Sequence, residues 1–292
     1  MKTGIIVNPR SGRAARASAA IRALAAERGA PVWCTTHPRH ASELAAAAVR
    51  NGCDLVVAVG GDGTINEVAS VLVGTSAILG IVPCGSGDAL GRHLRIHGPV
   101  RRAVRILRDG QPRALDSGLL DEHPFFSVAG FGFEAEIAHR FNRLRRRGFL
   151  RYLFVGAQVF RTWSPPEFEV RHDDGTLRLR ALTLAIANTT QYGNNARIAP
   201  RASAVDGRLD LVAVPPVTAG NALPLLVRLF RGTLDRARGI THLRSTGFTV
   251  RRNEPGPVHT DGEVHVAGAA VEIVVRPTSL RVLVPPELPA ET

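Results

Sequence analysis

Residues 55–74 read L-V-V-A-V-G-G-D-G-T-I-N-E-V-A-S-V-L-V-G. From Leu55 to Val59 the run is continuously apolar, the pattern of a strand buried on both faces of a parallel sheet. Gly60-Gly61-Asp62-Gly63 forces a tight turn and lets another molecule come close to the backbone. Thr64 and Glu67 have capping-box spacing, which predicts a helix from Thr64 or Ile65 with Gly74 as its stop. Strand, glycine turn and helix N-terminus make an anion site, because unpaired N–H groups and the positive end of the helix dipole point at one place. Asp62 brings a negative charge into that site. It is accommodated if it holds a metal, takes a proton or turns its side chain away.

Working outward, the first half of the chain repeats the same unit. Strands are predicted over 3–7, 31–36 and 77–83, and helices over 14–28, 41–50 and 100–108, with a short one from Ala89. The order βαβαβαβα predicts an α/β domain, a doubly wound Rossmann-like parallel sheet, and its ligands bind beyond the carboxyl ends of the strands. Three of those ends carry special turns: 8–12 (N-P-R-S-G), 60–63 (G-G-D-G) and 83–88 (P-C-G-S-G-D). From about Ala114 the texture changes to short strand-like runs, at 113–120, 124–129, 167–172, 177–187, 209–214, 247–252, 264–267, 271–276 and 280–284. Asp-Gly and Pro-Pro turns punctuate them, which predicts a C-terminal antiparallel β-sandwich domain. The expected division is 1–115 for a nucleotide-binding domain and 116–292 for a substrate domain. Two helical stretches interrupt the second part, 132–163 and 221–238, each mixing apolar residues with arginines.

At 292 residues and 45% hydrophobic content the chain can bury a sizeable core. Its formal net charge is +12, and Lys2 is its only lysine. No interior lysine is therefore available for phosphate binding or Schiff-base chemistry. Phosphate must be met by arginine, backbone N–H groups or a metal. Aromatic residues are only 5%, which weakens base stacking as a role; with no nucleic-acid motif present, nucleic acid is not an expected partner. Cys34, Cys53 and Cys84 are odd in number and lack metal-ligand spacing, which favours free thiols in a reducing cytoplasm. No signal core or membrane-spanning run is seen, so the expected location is cytoplasmic, with at most peripheral contact at the inner face of a membrane.

The ordered series of motifs resembles the diacylglycerol kinase catalytic-domain family, which includes diacylglycerol, sphingosine and ceramide kinases. The likeness spans nearly the whole chain. It rests on Asn8-Pro9-x-Ser11-Gly12, on Gly60-Gly61-Asp62-Gly63-Thr64-x-Asn66-Glu67 and on Gly85-Ser86-Gly87-Asp88-Ala89-Leu90. Asp116, Phe126-x-x-Ala129-Gly130-x-Gly132-Phe133-x-Ala135, Asp206-Gly207-x-Leu209-Asp210 and Asp261-Gly262-Glu263 follow in order. Bacterial diacylglycerol kinases read G-T-x-N-D in the third motif, where this chain has Ser86, Asp88 and Ala89; the form G-S-G-x-A-L is closer to sphingosine kinases. The aspartate that meets the sphingosine amine is replaced by Ala138, with Glu136 as a nearby substitute.

The resemblance implies ATP-dependent transfer of a phosphoryl group to a lipid hydroxyl, with Mg²⁺. The backbone around Ser11, Gly12, Gly60, Gly61, Gly63, Thr64, Gly85 and Ser86 is expected to hold the phosphates, with Asn8 and Glu67 beside them. Asp62 is the candidate general base. Asp261 and Glu263 are candidates to ligate Mg²⁺ or assist the base, the alternative being an ordinary Asp-Gly hairpin. Asp206 and Asp210 are candidate ligands of a structural metal, again against an ordinary turn. Arg145 and Arg151 are implied to neutralise the phosphates, or else belong to a solvated basic helix face. Arg92, just past the third motif, is a further candidate. The arginine- and leucine-bearing stretches 141–163 and 223–238 suit an anionic membrane surface, or else simply pack on the core. A homodimer is allowed. Two other readings remain open at this stage: an NAD kinase-like enzyme, since G-G-D-G-T also marks that group, and a catalytically inactive nucleotide- or membrane-binding protein.

Overall fold

The computed structural model describes residues 1–142, 156 and 158–288. Strand β3 (Leu55–Gly60) is buried along its whole length, as its apolar run predicts. Full burial of each Leu or Val there contributes about 1.5–3 kcal/mol. β1 (Thr3–Val7) and β4 (Ile78–Pro83) flank it in parallel register, with Val7 opposite Val59 and Gly60 opposite Pro83. The three strands therefore end level with one another and deliver three turns to one edge of the sheet. β2 (Val32–Cys34) lies beyond β1. Helices α1 (Ala14–Arg28) and α5 (Val100–Asp109) pack together, as do α2 (His40–Arg50) and α3 (Asp62–Leu72); α4 (Ala89–His93) is short. Alanines make the close approach of α1 cheap: Ala14, Ala17 and Ala25 are buried with Ile21 and Leu24.

The next strand of this sheet comes from the far end of the chain. β16 (Ala270–Val284) lies parallel to β4 at Arg281 and Val282, and antiparallel to β5 (Gln111–Leu120). Its register shifts between Arg276 and Leu280, where Thr278 adopts φ 50°. The runs 271–276 and 280–284 are thus one strand, shared by both halves of the molecule. Buried Asp116 fastens the irregularity, accepting the Thr278 amide at 2.8 Å on Oδ1 and the Gly207 amide at 2.7 Å on Oδ2.

The second half is an antiparallel sandwich. One layer continues from β16 through β13 (Gly247–Arg251) to β8 (Glu167–His172) and β9 (Gly175–Arg180), with β6 (His123–Phe125) on β5. The other runs β12 (Thr241–Ser245), β11 (Leu209–Val214), β10 (Thr183–Ala187), β7 (Val128–Gly132), β14 (Gly256–Thr260), β15 (Glu263–Ala267). Phe125, Phe131, Phe168, Ile186 and Phe248 are buried in the core between them. The run 177–187 divides at Ala181-Leu182, where the chain passes from one layer to the other. Helix α6 (Phe133–Asn142) follows β7, and α7 (Ala219–Arg231) follows β11. The expected helix 221–238 stops at Arg231 because Gly232 turns left-handed, at φ 67°, and a separate 3₁₀ turn follows at Leu234–Arg236.

Candidate active site

The three turns meet through side chains as well as by strand register. Asn8 donates from Nδ2 to Thr64 Oγ1 at 3.0 Å, and Ser11 Oγ accepts the Gly61 amide at 3.1 Å. Gly60 has no room for a side chain: a Cβ there would sit 2.5 Å from that of Thr64. Gly61 and Gly85 pass so closely that a Cβ on Gly85 would lie 2.8 Å from the Gly61 Cα. The turn tips Gly12, Gly63 and Ser86 remain exposed. The first amides of α3 have no partner within the helix, and they face the same edge. Positive dipole end, open backbone and exposed tips fit the phosphates of a nucleotide.

Asp62 is the first residue of α3. Its Oδ2 accepts the Asp88 amide at 3.0 Å and its Oδ1 the Ala89 amide at 2.9 Å. The carboxylate is aimed across the anion site at the third turn, and each oxygen keeps a lone pair for a hydroxyl proton or a metal. Gly87 is required here, since a Cβ would come within 2.8 Å of Asp62 Oδ2. The second domain presses on the same turn: Asn194 donates its amide to Gly87 O at 3.1 Å, beside Gly193 at φ 112°.

Two residues with no role assigned from sequence bind the turns together. Arg13 donates from Nη2 to Gly85 O at 2.7 Å and to Asp88 Oδ2 at 3.0 Å. Asp88 is fully buried, with His97 Nδ1 at 2.8 Å from the same oxygen, while its Oδ1 has no hydrogen-bond partner among the described residues. Burial pushes the Asp88 pKa up; His97 and Arg13 pull against this, and nearby Asp62 adds to it. Burial likewise raises the thiol of Cys84, which lies behind the turn. Arg92 donates from Nε to Gly87 O at 2.8 Å and so braces the third turn from outside.

The capping box expected within α3 does not form. The helix starts earlier, with extended Gly61 as N-cap, and Thr64 Oγ1 turns to Asn8. Glu67 crosses to α2, where its carboxylate accepts the amides of Arg39 at 3.3 Å and Ala41 at 3.0 Å. That carboxylate is spent on a neighbouring helix and points to no glycine turn.

Asp261 joins the two domains. Its Oδ2 accepts Asn66 Nδ2 at 2.9 Å and the Phe126 amide at 2.8 Å; its Oδ1 accepts the amides of Ser127 at 2.8 Å and Val128 at 3.0 Å. Burial raises its pKa against the pull of these donors. With all four acceptor positions taken, it is placed to position α3 and has none left for a metal. Glu263, two residues on, is exposed, and its carboxylate makes no hydrogen bond or ion pair among the described residues. Of the two carboxylates expected to ligate Mg²⁺, Glu263 keeps oxygens to offer and Asp261 does not; Asp62, the candidate base, also keeps a lone pair on each oxygen, and hard oxygen donors fit that ion.

The pair expected to hold a structural metal meets a cation of the protein itself. Arg244 bonds Asp206 and lies 3.5 Å from Asp210 Oδ1, which also meets His242 Nε2 at 2.6 Å. Burial raises the Asp206 pKa and Arg244 lowers it. Arg244 and His242 take up Asp206 Oδ2 and Asp210 Oδ1, but Asp210 Oδ2 is buried with no hydrogen-bond partner among the described residues, so the pair keeps an oxygen for a cation. Arg145 and Arg151 lie outside the described residues.

Set against known proteins, residues 2–120 match the diacylglycerol kinase catalytic domain, and residues 127–284 match the YegS C-terminal NAD kinase beta sandwich-like domain. The chain belongs to the diacylglycerol kinase catalytic-domain family. A diacylglycerol kinase of Mycobacterium tuberculosis (strain H37Rv) is 32% identical over 97% of this chain and 95% of its own. An uncharacterised protein of Synechocystis is 30% identical over 81% of this chain, which spans 56% of that protein's length. The crystal structure of a diacylglycerol kinase from Bacillus anthracis has the same fold, with TM-score 0.75 at 17% identity, over 99% of this chain and 98% of that one.

Proposed function

We propose that the protein is a lipid kinase that moves the γ-phosphoryl group of ATP, with Mg²⁺, to the hydroxyl of a diacylglycerol or a sphingosine-like long-chain base. The observation that carries this reading is the Asp62 carboxylate, held by two amides at the junction of three glycine turns and roofed by the second domain. Phosphoryl transfer needs positioning and charge neutralisation more than covalent chemistry. The backbone of the three turns would hold the nucleotide phosphates, with Ser11, Thr64 and Asn8 fixing the shape of those turns. Mg²⁺, when bound, supplies the Lewis acid that neutralises phosphate charge; Asp62 and Glu263 would hold it. Asp62 takes the proton of the acceptor hydroxyl as the oxygen attacks phosphorus and the bond to ADP breaks. Asp261, through Asn66, sets where α3 and hence Asp62 stand; we assign it a positioning role. Arg13 and Arg92 brace the third turn, and Arg145 and Arg151 remain assigned to the phosphates by resemblance.

The test is transfer of labelled phosphate from ATP·Mg²⁺ to diacylglycerol, sphingosine, ceramide and NAD in parallel. Label in a lipid is the expected result. Label in NAD alone overturns the lipid reading, and nucleotide binding without transfer to any acceptor identifies an inactive relative. Asp62→Asn is expected to lower kcat by ~10²–10⁴, the usual contribution of a general base. A loss under about tenfold removes that role from Asp62.

A further inference from the structure

Helix α7 carries its apolar residues on the wrong side for a core helix. Leu225 and Leu229 pack on the outer face of the six-stranded sheet, with Ala185 and Val212. Leu223, Leu226, Val227 and Phe230 point the other way and are 67%, 51%, 40% and 51% exposed. Their spacing of i, i+3, i+4 and i+7 makes one continuous stripe along the helix. Arg231, Arg236 and Arg238, at and beyond its C-terminal end, are exposed as well. An amphipathic helix whose apolar stripe faces water beside arginines has the makeup of an interfacial membrane element.

A second observation lies at the foot of the same helix. A cleft of about 290 Å³ between α4 and residues 190–200 is lined by Arg92, Arg95 and Arg197, with His93, Thr190 and Gln191. No carboxylate lines it, and neither Arg95 nor Arg197 makes an ion pair among the described residues. Arg197 belongs to the end of α7: its amide donates to Leu229 O at 3.0 Å, and its side chain packs against Gly232. Apolar stripe and arginine cleft are thus neighbours. The first suits acyl chains and the second suits a phosphate at headgroup depth.

We propose that α7 and this cleft form a docking site for an anionic phospholipid bilayer, with the stripe inserted among the acyl chains and one headgroup phosphate held by Arg95 and Arg197. The choice of a lipid surface over another polyanion rests on the lipid-kinase reading. Charge complementarity argues for it independently, since the chain carries a formal charge of +12. The site has a direct line to the chemistry: Arg92, which lines the cleft, holds Gly87 O, and Gly87 lies against Asp62.

Co-sedimentation with vesicles of phosphatidylcholine, with and without phosphatidylglycerol, tests the proposal. The wild-type protein is expected to pellet with the anionic vesicles, and added salt is expected to release it. Replacing both Arg95 and Arg197 by alanine should weaken binding about thirtyfold, from ~1 kcal/mol per arginine at the surface. Leu226→Glu and Phe230→Glu, on exposed positions, should each weaken it by more than tenfold while phosphotransfer to detergent-dispersed acceptor is unchanged. Undiminished pelleting of all these variants overturns the proposal. So does a wild-type dimer that Phe230→Glu splits, because the stripe is then an interface between copies. Binding of inorganic phosphate that Arg95 and Arg197 support, without vesicle binding, assigns the cleft to a free anion and also overturns it. Pelleting requires no turnover, so its failure leaves the kinase reading intact, and a failed kinase assay leaves the docking result intact.

Discussion

Asp88 reaches water through none of its atoms, and among the described residues its carboxylate meets Arg13 and His97 on one oxygen. A folded pKa raised above the ordinary aspartate value of about 3.9 gives a stabilisation that is present below that value. That stabilisation is lost as pH rises through the raised one. Asp88→Asn removes this dependence. The melting-temperature difference between variant and wild type should therefore move in the variant's favour from acid to neutral pH; a constant difference contradicts the assignment. Gly60 offers a steric test at the same scale. Gly60→Ala forces a Cβ into Thr64 and should cost about 1–3 kcal/mol in urea unfolding, as overpacked sites do. It should also weaken nucleotide binding, because Thr64 is the residue that Asn8 holds.

The start of α2 is capped from another element. α2 begins at His40 with left-handed Arg39 before it, and its open amides are satisfied by Glu67 from α3. Glu67→Ala should therefore cost about 0.5–2 kcal/mol of stability, the usual cost of a lost cap. It should leave ATP affinity within a fewfold of wild type. A large loss of ATP affinity at unchanged stability would return Glu67 to the nucleotide site. The same element pair shows why spacing misled: Thr64 and Glu67 are three residues apart on a helix, but each had a better partner on another element. Helix α7 gives the converse lesson, since its leucines are legible from sequence and the side they face is not.

At the scale of the molecule, two of the contacts between the halves do most to make them one body. One is Asp261, which ties Asn66 of α3 to the amides of Phe126, Ser127 and Val128. Asp261→Ala leaves three amides without acceptors, at roughly 1–3 kcal/mol for each that stays buried. Cooperative unfolding should shift by several times the effect of Glu67→Ala, and residual turnover should fall through misplacement of α3. The other is β16. A chain ending at Thr278 loses the segment 280–284 that pairs with β4 and with Gln111–Leu115 of β5, so the first domain should expose its sheet edge and lose its sharp thermal transition.

Local signals were enough for the strand–glycine–helix unit at 55–74, for its two companions and for the change of texture near Ala114. Each depends on chemistry within a few residues: an apolar run, glycines that admit a close approach, an Asp-Gly turn. The convergence of the three turns also followed from the sequence, because parallel strands of a doubly wound sheet end on one edge. Tertiary structure alone decided which carboxylates are free. Asp62 and Glu263 keep oxygens to offer, Asp261 is closed by four donors, Asp206 and Asp210 Oδ1 meet Arg244 and His242 while Asp210 Oδ2 stays open, and Glu67 serves another helix. Partners such as Arg13 and Asp88 lie 75 residues apart in the chain, and Asn66 and Asp261 lie 195 apart. No local pattern encodes such a pairing, because a carboxylate's role is set by which donors the folded chain brings within about 3 Å of it.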